Sequence, residues 1–173
     1  MRPFSLFLLV AFLSVGVIAE EEHSPGVKVF YNFLLDETGA IKGEARDWFI
    51  HNGKEARFVM VGEVHGVADV AVFSRSLYDL TDRTALAIET DLWTANTLEK
   101  IAVEGMGAFD AHYKQRSHQY AVPFYSWREE AALLSHVVKK SDGVKPSLWG
   151  LDQVFLLGGR NIVEHIRSKV TRK

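Results

Sequence analysis

Three short apolar runs without alternation punctuate the chain: Phe58-Val59-Met60-Val61, Ala85-Leu86-Ala87-Ile88 and Ser147-Leu148-Trp149-Gly150-Leu151. Runs of this length predict strands buried on both faces, as in a parallel sheet. Between and after them the apolar residues recur at helical spacing. Val70, Phe73, Leu77 and Leu80 line one face of a helix predicted over Val67–Leu80. Thr94 is placed to cap a second helix running through Glu104, with Leu98, Ile101 and Ala102 inward and Gly105 as its stop. Ser126-Trp127-Arg128-Glu129 reads as a capping box. The helix it opens runs to about Lys140, with Trp127, Ala131, Leu134 and Val138 inward and two lysines at its negative end. Asn161–Val170 predicts a last amphipathic helix with Ile162, Val163, Ile166 and Val170 inward and a basic exposed end.

The segments before and between these elements are less regular. Val27–Leu35 reads as a strand or a short helix, and Asp36-Glu37-Thr38-Gly39 as a turn. Gly43–Asn52 holds a short helix with Ala45, Trp48 and Phe49 on one side and Asn52-Gly53 as its stop. Gly105–Tyr125 breaks the rhythm with two glycines, Pro123 and the polar aromatics His112, Tyr113, His118 and Tyr120, and reads as a long surface excursion. Strands alternating with helices predict an α/β fold: a mostly parallel sheet with flanking helices and right-handed crossovers.

The amino terminus is an address rather than part of that fold. One positive charge at Arg2 precedes an uncharged run from Phe4 to Ile18, shorter than the roughly 20 residues a spanning helix needs. Val17-Ile18-Ala19 matches a signal-peptidase site, and Glu20, Glu21 and Glu22 follow. The expectation is a signal peptide over residues 1–19 cut after Ala19, a flexible leader over 20–26, a single domain over 27–173, and a secreted or periplasmic product with no stable membrane span. The 173 residues suit one domain, and 47% hydrophobic with 24% charged residues is ordinary globular usage. With 20 basic against 22 acidic residues the formal charge is -2, which gives nucleic acid no electrostatic footing. There is no cysteine, which excludes disulfide frameworks, thiolate zinc sites, thiol nucleophiles and acylated-cysteine anchors.

Chemistry-bearing residues gather where the predicted strands end. Glu63 and His65 follow the first, Glu89 and Asp91 the second, and Asp152 the third. Parallel strands bring their carboxyl ends to one edge, where open α/β sheets bind ligands. Several carboxylates there repel, and partial burial raises the cost. A divalent metal, a protonated His65 or Arg75 would compensate. Taken singly, Glu63 or Asp91 is a helix cap and His65 a buried, hydrogen-bonded ring; taken together they form a candidate site. The remaining histidines carry less. His112 and His118 are surface or lid residues, His23 lies in the leader, and His136 and His165 are structural positions on helices. Gly158-Gly159 is read as a tight turn rather than an anion site, and no Gly-x-Ser-x-Gly elbow occurs.

Val61-Gly62-Glu63-Val64-His65-Gly66, followed by an amphipathic helix, Ala87-Ile88-Glu89 and Trp149-Gly150-Leu151-Asp152, resembles the erythromycin esterase-like family. It also resembles the wider superfamily of haem-binding ChaN-like lipoproteins and Tiki/TraB proteins. The resemblance spans Phe58 to Gln153. It implies an α/β fold with the site at the strand ends, His65 as the general base that activates water, Glu63 and Glu89 as its acidic partners, and Arg75 as the nearest match to a contributing helix arginine. The Gly-Glu-x-His spacing is one residue shorter than the esterases' usual Gly-Glu-x-x-His and nearer the ChaN-like branch, whose lipid-bearing cysteine has no counterpart here. The family fold is longer, with further strands and a second functional histidine, so the chain is expected to be a partial or reduced member.

Three functions follow as expectations. The first is hydrolysis of an ester, lactone or amide carbonyl in a small-molecule substrate, with His65 as base; imidazole suits this because it titrates near neutrality. In a metal-assisted variant Glu63, His65, Glu89 and Asp152 offer oxygen ligands and one imidazole to Mn²⁺, Zn²⁺ or Mg²⁺. The second is capture of haem or iron without catalysis, motivated by the aromatic, His- and Tyr-bearing excursion. The third is an inactive truncated product.

Overall fold

The computed structural model describes residues 33–62, 64–115, 121–122, 124–155 and 158–170. The elements are β1 (Leu34–Leu35), β2 (Ile41–Lys42), α1 (Glu44–Glu55), α2 (Ala68–Leu80), β3 (Leu86–Ile88), α3 (Leu92–Glu104), α4 (Met106–Lys114), α5 (Arg128–Lys140), β4 (Leu148–Gly150) and α6 (Gly159–Val170). Among the described residues the architecture is mixed α/β, helix-rich, with two small sheets: an antiparallel β1–β2 hairpin and a parallel β3–β4 pair.

The hairpin turns on Asp36, whose Oδ1 accepts from the Thr38 hydroxyl at 2.6 Å and from the Thr38 and Ala40 amides at 2.9 and 3.0 Å. The Thr38 hydroxyl bond, seconded by the Ala40 amide, holds the Asp36 carboxyl down at about 2. Beneath the hairpin, Ile41, Ala45, Phe49, Phe73 and Leu77 form one cluster, with Phe33 packed 5.0 Å from Phe73 and the Phe49–Phe73 pair edge-on at 5.7 Å. The larger core joins Tyr78 of α2, Ile88 of β3, Leu98 and Ala102 of α3, Phe109 of α4, Leu134 and Val137 of α5, and Leu148 of β4. Helix α2 therefore serves both cores.

Several expectations are corrected. The expected mostly parallel sheet is reduced to the β3–β4 pair, because Phe58–Val61 forms no strand. Val59 and Val61 pack against the hairpin cluster, while Phe58 is 71% and Met60 57% exposed. An apolar run covered on one side only cannot be the doubly buried strand its composition suggests. The sheet shows the same one-sidedness: Ile88 and Leu148 are buried, whereas the paired Ala87 and Trp149 face out. Helix α1 runs through Asn52-Gly53 to Glu55, with Gly53 buried against Thr81 and the Arg83 guanidinium donating to the Gly53 and Ala56 carbonyls.

The supposed surface excursion contains α4, because Phe109 and Tyr113, one turn apart, present an apolar face to the core. Gly105, at φ 95°, stops α3 and starts α4, a conformation glycine adopts without strain. His118 and Tyr120 lie outside the described residues. Trp127, not Ser126, is the cap residue of α5, and no side-chain capping bond forms there. Helix α6 is turned over: Val163, Ile166 and Val170 are 47%, 55% and 68% exposed, and Asn161 is the buried residue.

Helix α3 starts at Leu92, capped by Asp91 instead of Thr94. Both are good cap residues, and the one nearer β3 wins because its carboxylate has three donors. Asp91 Oδ1 accepts from the Trp93 and Thr94 amides, each at 2.9 Å, and Oδ2 from the Thr94 hydroxyl at 2.6 Å. Asn161 of α6 donates to the same Thr94 hydroxyl at 2.8 Å. The start of β4 is fixed by Glu99, which accepts from the amide and hydroxyl of buried Ser147 at 2.8 and 2.7 Å.

Replacing a buried cap with three bonds leaves donors unsatisfied, so Asp91→Ala is expected to lower stability by about 2 kcal/mol. Urea unfolding reads this, with Asp91→Asn retaining part of the loss. Asp79 on α2 is approached by His136 at 2.8 Å and Lys140 at 2.9 Å, both on α5. Burial pushes its carboxyl up, but hydrogen bonds and charge from His136 and Lys140 outweigh that, and it lies below its ordinary value of 3.8. Such a group stabilises the fold above its unfolded value and loses that contribution as pH falls through the folded one. Asp79→Asn is expected to cost no more than about 1 kcal/mol at neutral pH, given its exposure, with the difference from wild type fading below about pH 4. Urea midpoints measured across that range check it.

Candidate functional site

His65 lies in the turn that leads into α2, directly after the Phe58–Gly62 segment. Glu89 follows the last residue of β3. The two meet: His65 Nε2 is 3.2 Å from Glu89 Oε2, with the imidazole side chain 30% and the carboxylate 55% exposed. A partly exposed pair of this kind is reachable by a ligand while the ring is held on one side.

Phe124 supplies the hold. Its ring stacks on His65 at 3.7 Å between centroids and 9° between planes. Phe155 continues the stack 5.9 Å from Phe124. Phe124 adopts φ 68°, a left-handed conformation costly for a bulky residue. Its neighbour Tyr125 is buried and accepts the Glu89 amide proton on its hydroxyl at 3.2 Å. The Tyr125 carbonyl accepts in turn from the Tyr113 hydroxyl at 2.9 Å. Burial raises the Tyr113 phenol far above its ordinary value, which keeps it a neutral donor. Two consecutive residues thus grip both members of the pair, one by stacking on the imidazole and one by fixing the glutamate's backbone. On the other side the Trp127 ring covers Gly66, the residue after His65.

The remaining expected site residues are placed as follows. Glu63 lies outside the described residues. Asp152 is exposed beyond β4; its amide donates to the Thr90 carbonyl at 2.9 Å, and its carboxylate accepts from the Gln153 amide at 2.7 Å. Its backbone therefore reaches the same sheet end as Glu89, while its carboxylate is engaged locally. Asp91 serves as the α3 cap. Arg75 is exposed on α2 and lines a shallow cavity with Thr38, Gly39, Ala40, Val72, Ser76 and Asp79, beside the hairpin turn. Among the described residues, no three His, Asp or Glu side chains come together as a metal would require. Gly158 fits a tight turn, its amide donating to the Phe155 carbonyl at 2.9 Å, with the Asp91 carboxylate packed close.

Phe124, Tyr125 and Phe155 were not singled out as site residues by the sequence pattern. The aromatic content of the segment around Pro123 is the one signal that pointed near them, and it did not distinguish stacking from surface exposure.

Compared with known proteins, the chain matches no family model, no curated protein and no solved structure. What the site can do is argued from its own geometry.

The stacked arrangement has a spectroscopic consequence. A ring 3.7 Å above the imidazole shields the His65 carbon-bound protons. Their NMR resonances are expected upfield of those of exposed His165, and Phe124→Leu is expected to move them downfield. Unchanged His65 resonances in that variant would contradict the stack.

Proposed function

We propose that this protein is a hydrolase acting on an ester, lactone or amide carbonyl of a small molecule, with His65 as general base and Glu89 as its orienting carboxylate. The observation that carries the reading is the 3.2 Å approach of His65 Nε2 to Glu89 Oε2, with the ring held flat against Phe124. Oriented by Glu89, the imidazole takes a proton from water as the water oxygen bonds to the carbonyl carbon. The tetrahedral intermediate then collapses, the bond to the leaving alkoxide or amine breaks, and the imidazolium returns the proton to the leaving atom. Glu89 stabilises the imidazolium while it exists.

The resemblance of Gly62-Glu63-Val64-His65 and Ile88-Glu89 to the erythromycin esterase-like family assigns the same roles to His65 and Glu89 and adds Glu63 as a second carboxylate. In this reading β3 and β4 are the parallel strands that carry Glu89 and Asp152, and the signal peptide directs the chain to the periplasm or the outside.

The test is hydrolysis of a panel of activated esters and lactones. His65→Ala is expected to lose about 10²-fold or more in kcat with the Tm unchanged, and Glu89→Gln to lose less, because the base survives without its orienter. Full activity in His65→Ala would remove the histidine from the mechanism. Treatment with EDTA separates two forms of this step: activity that survives chelation is carried by the His65–Glu89 pair alone, and activity lost on chelation and restored by one added metal is the metal-assisted form.

A further inference from the structure

Helix α6 is docked the opposite way round from an ordinary surface helix. Among the described residues its buried contact is polar: Asn161, 2% exposed, donates to the Thr94 hydroxyl at 2.8 Å and to the Ala121 carbonyl at 3.4 Å. From Val163 to Val170 every residue is exposed. At 3.6 residues per turn Ile162, Val163, Ile166 and Val170 form one stripe on the side away from Asn161. Arg160 and Arg167 border that stripe on one side and Lys169 on the other. Glu164 lies beyond the arginine border and pairs with Arg160 at 3.4 Å. In the sequence Arg172 and Lys173 continue the basic character.

A helix of this length is marginal in water without a surface to lie on. The charge pattern selects the surface. Pairing with a second copy of α6 would set cations against cations along both borders, which disfavours self-association. An apolar stripe of low net hydropathy with basic residues on both flanks instead matches a layer that is apolar inside and anionic outside. We propose that α6 is a membrane-surface helix, and that the chemistry it recognises is an anionic phospholipid bilayer, with Ile162, Val163, Ile166 and Val170 entering the acyl boundary and Arg160, Arg167 and Lys169 meeting the headgroups. This assignment stands independently of the hydrolytic reading.

The experiment is co-sedimentation of the chain from Glu20 onward, which lacks the apolar run Phe4–Ile18, with vesicles at low salt. Binding is expected to mixed phosphatidylcholine–phosphatidylglycerol vesicles and much less to phosphatidylcholine alone. Removing one cation near an anionic surface weakens partitioning about 5-fold, so Arg167→Gln with Lys169→Gln is expected to lose about 25-fold. Ile166→Asp, at a position 55% exposed and therefore tolerant of change, is expected to abolish binding with the circular dichroism spectrum unchanged. No binding of the wild type to the mixed vesicles would overturn the proposal, as would equal binding to neutral ones. So would a dimer in sedimentation equilibrium that Ile166→Asp dissolves, which would assign the stripe to a second copy, or capture by an acidic protein surface without any vesicle binding.

Discussion

The buried carboxylate of Asp91 is the constraint around which the rest of the structure is arranged. A charged group sealed from water at the end of a strand is tolerable only when each oxygen is met by donors. The first turn of α3 supplies those donors, which fixes where β3 ends and where the helix begins. Thr94 carries the same network to Asn161 and so ties down the start of α6. The β4 backbone passes close by: Gly150 lies so near the Thr90 and Asp91 carbonyls that a larger residue has no room there. The amides of Leu151 and Asp152 then donate to the Ile88 and Thr90 carbonyls at 3.3 and 2.9 Å. Glu89 sits in the middle of this pinned segment, with its amide held by Tyr125. Its position beside His65 is therefore a consequence of how the strand ends are tied.

The carboxylates expected to crowd one edge are sorted by this arrangement. Asp91 turns into the helix terminus and becomes structural. Asp152 settles on a neighbouring amide. Glu89 is left reaching outward to the imidazole. Among the described residues the electrostatic conflict that several adjacent carboxylates would create is thereby reduced. The Phe124 and Tyr125 pair completes the sorting, since a stacked ring and a buried phenol restrict the two polar partners without competing for their charge.

Much of the fold was legible because hydrophobic periodicity is a local signal. The stripe of α2, the Ala131 and Leu134 positions of α5 and the apolar runs of β3 and β4 required no knowledge of what packs against them, whereas Trp127, expected inward, is 46% exposed. The failures share one cause: each depended on what covers a segment. Phe58–Val61 has the composition of a buried strand but is covered on one side. Helix α6 has a core-type stripe that points away from the body. The α4 segment, rich in glycine and polar aromatics, becomes a helix because Phe109 finds the core. Thr94 and Asp91 both suit a helix start, and the choice was made by tertiary bonds. In the site, Glu89 could be read from the end of β3, whereas the strand expected to carry His65 does not form and the histidine reaches Glu89 from the turn before α2. Phe124 and Tyr125 could not, since the sequence around them carries neither a helical nor an alternating apolar pattern.

The central claim is that His65 and Glu89 act as one unit. A double-mutant cycle on kcat/KM for a cleaved ester measures it directly. If Glu89 works only through the imidazole, Glu89→Gln costs activity in the wild-type background and nothing further once His65→Ala is in place, so the double variant equals His65→Ala alone. Losses that multiply, with the double variant slower than His65→Ala by the full Glu89→Gln factor, would show two independent groups and contradict the account.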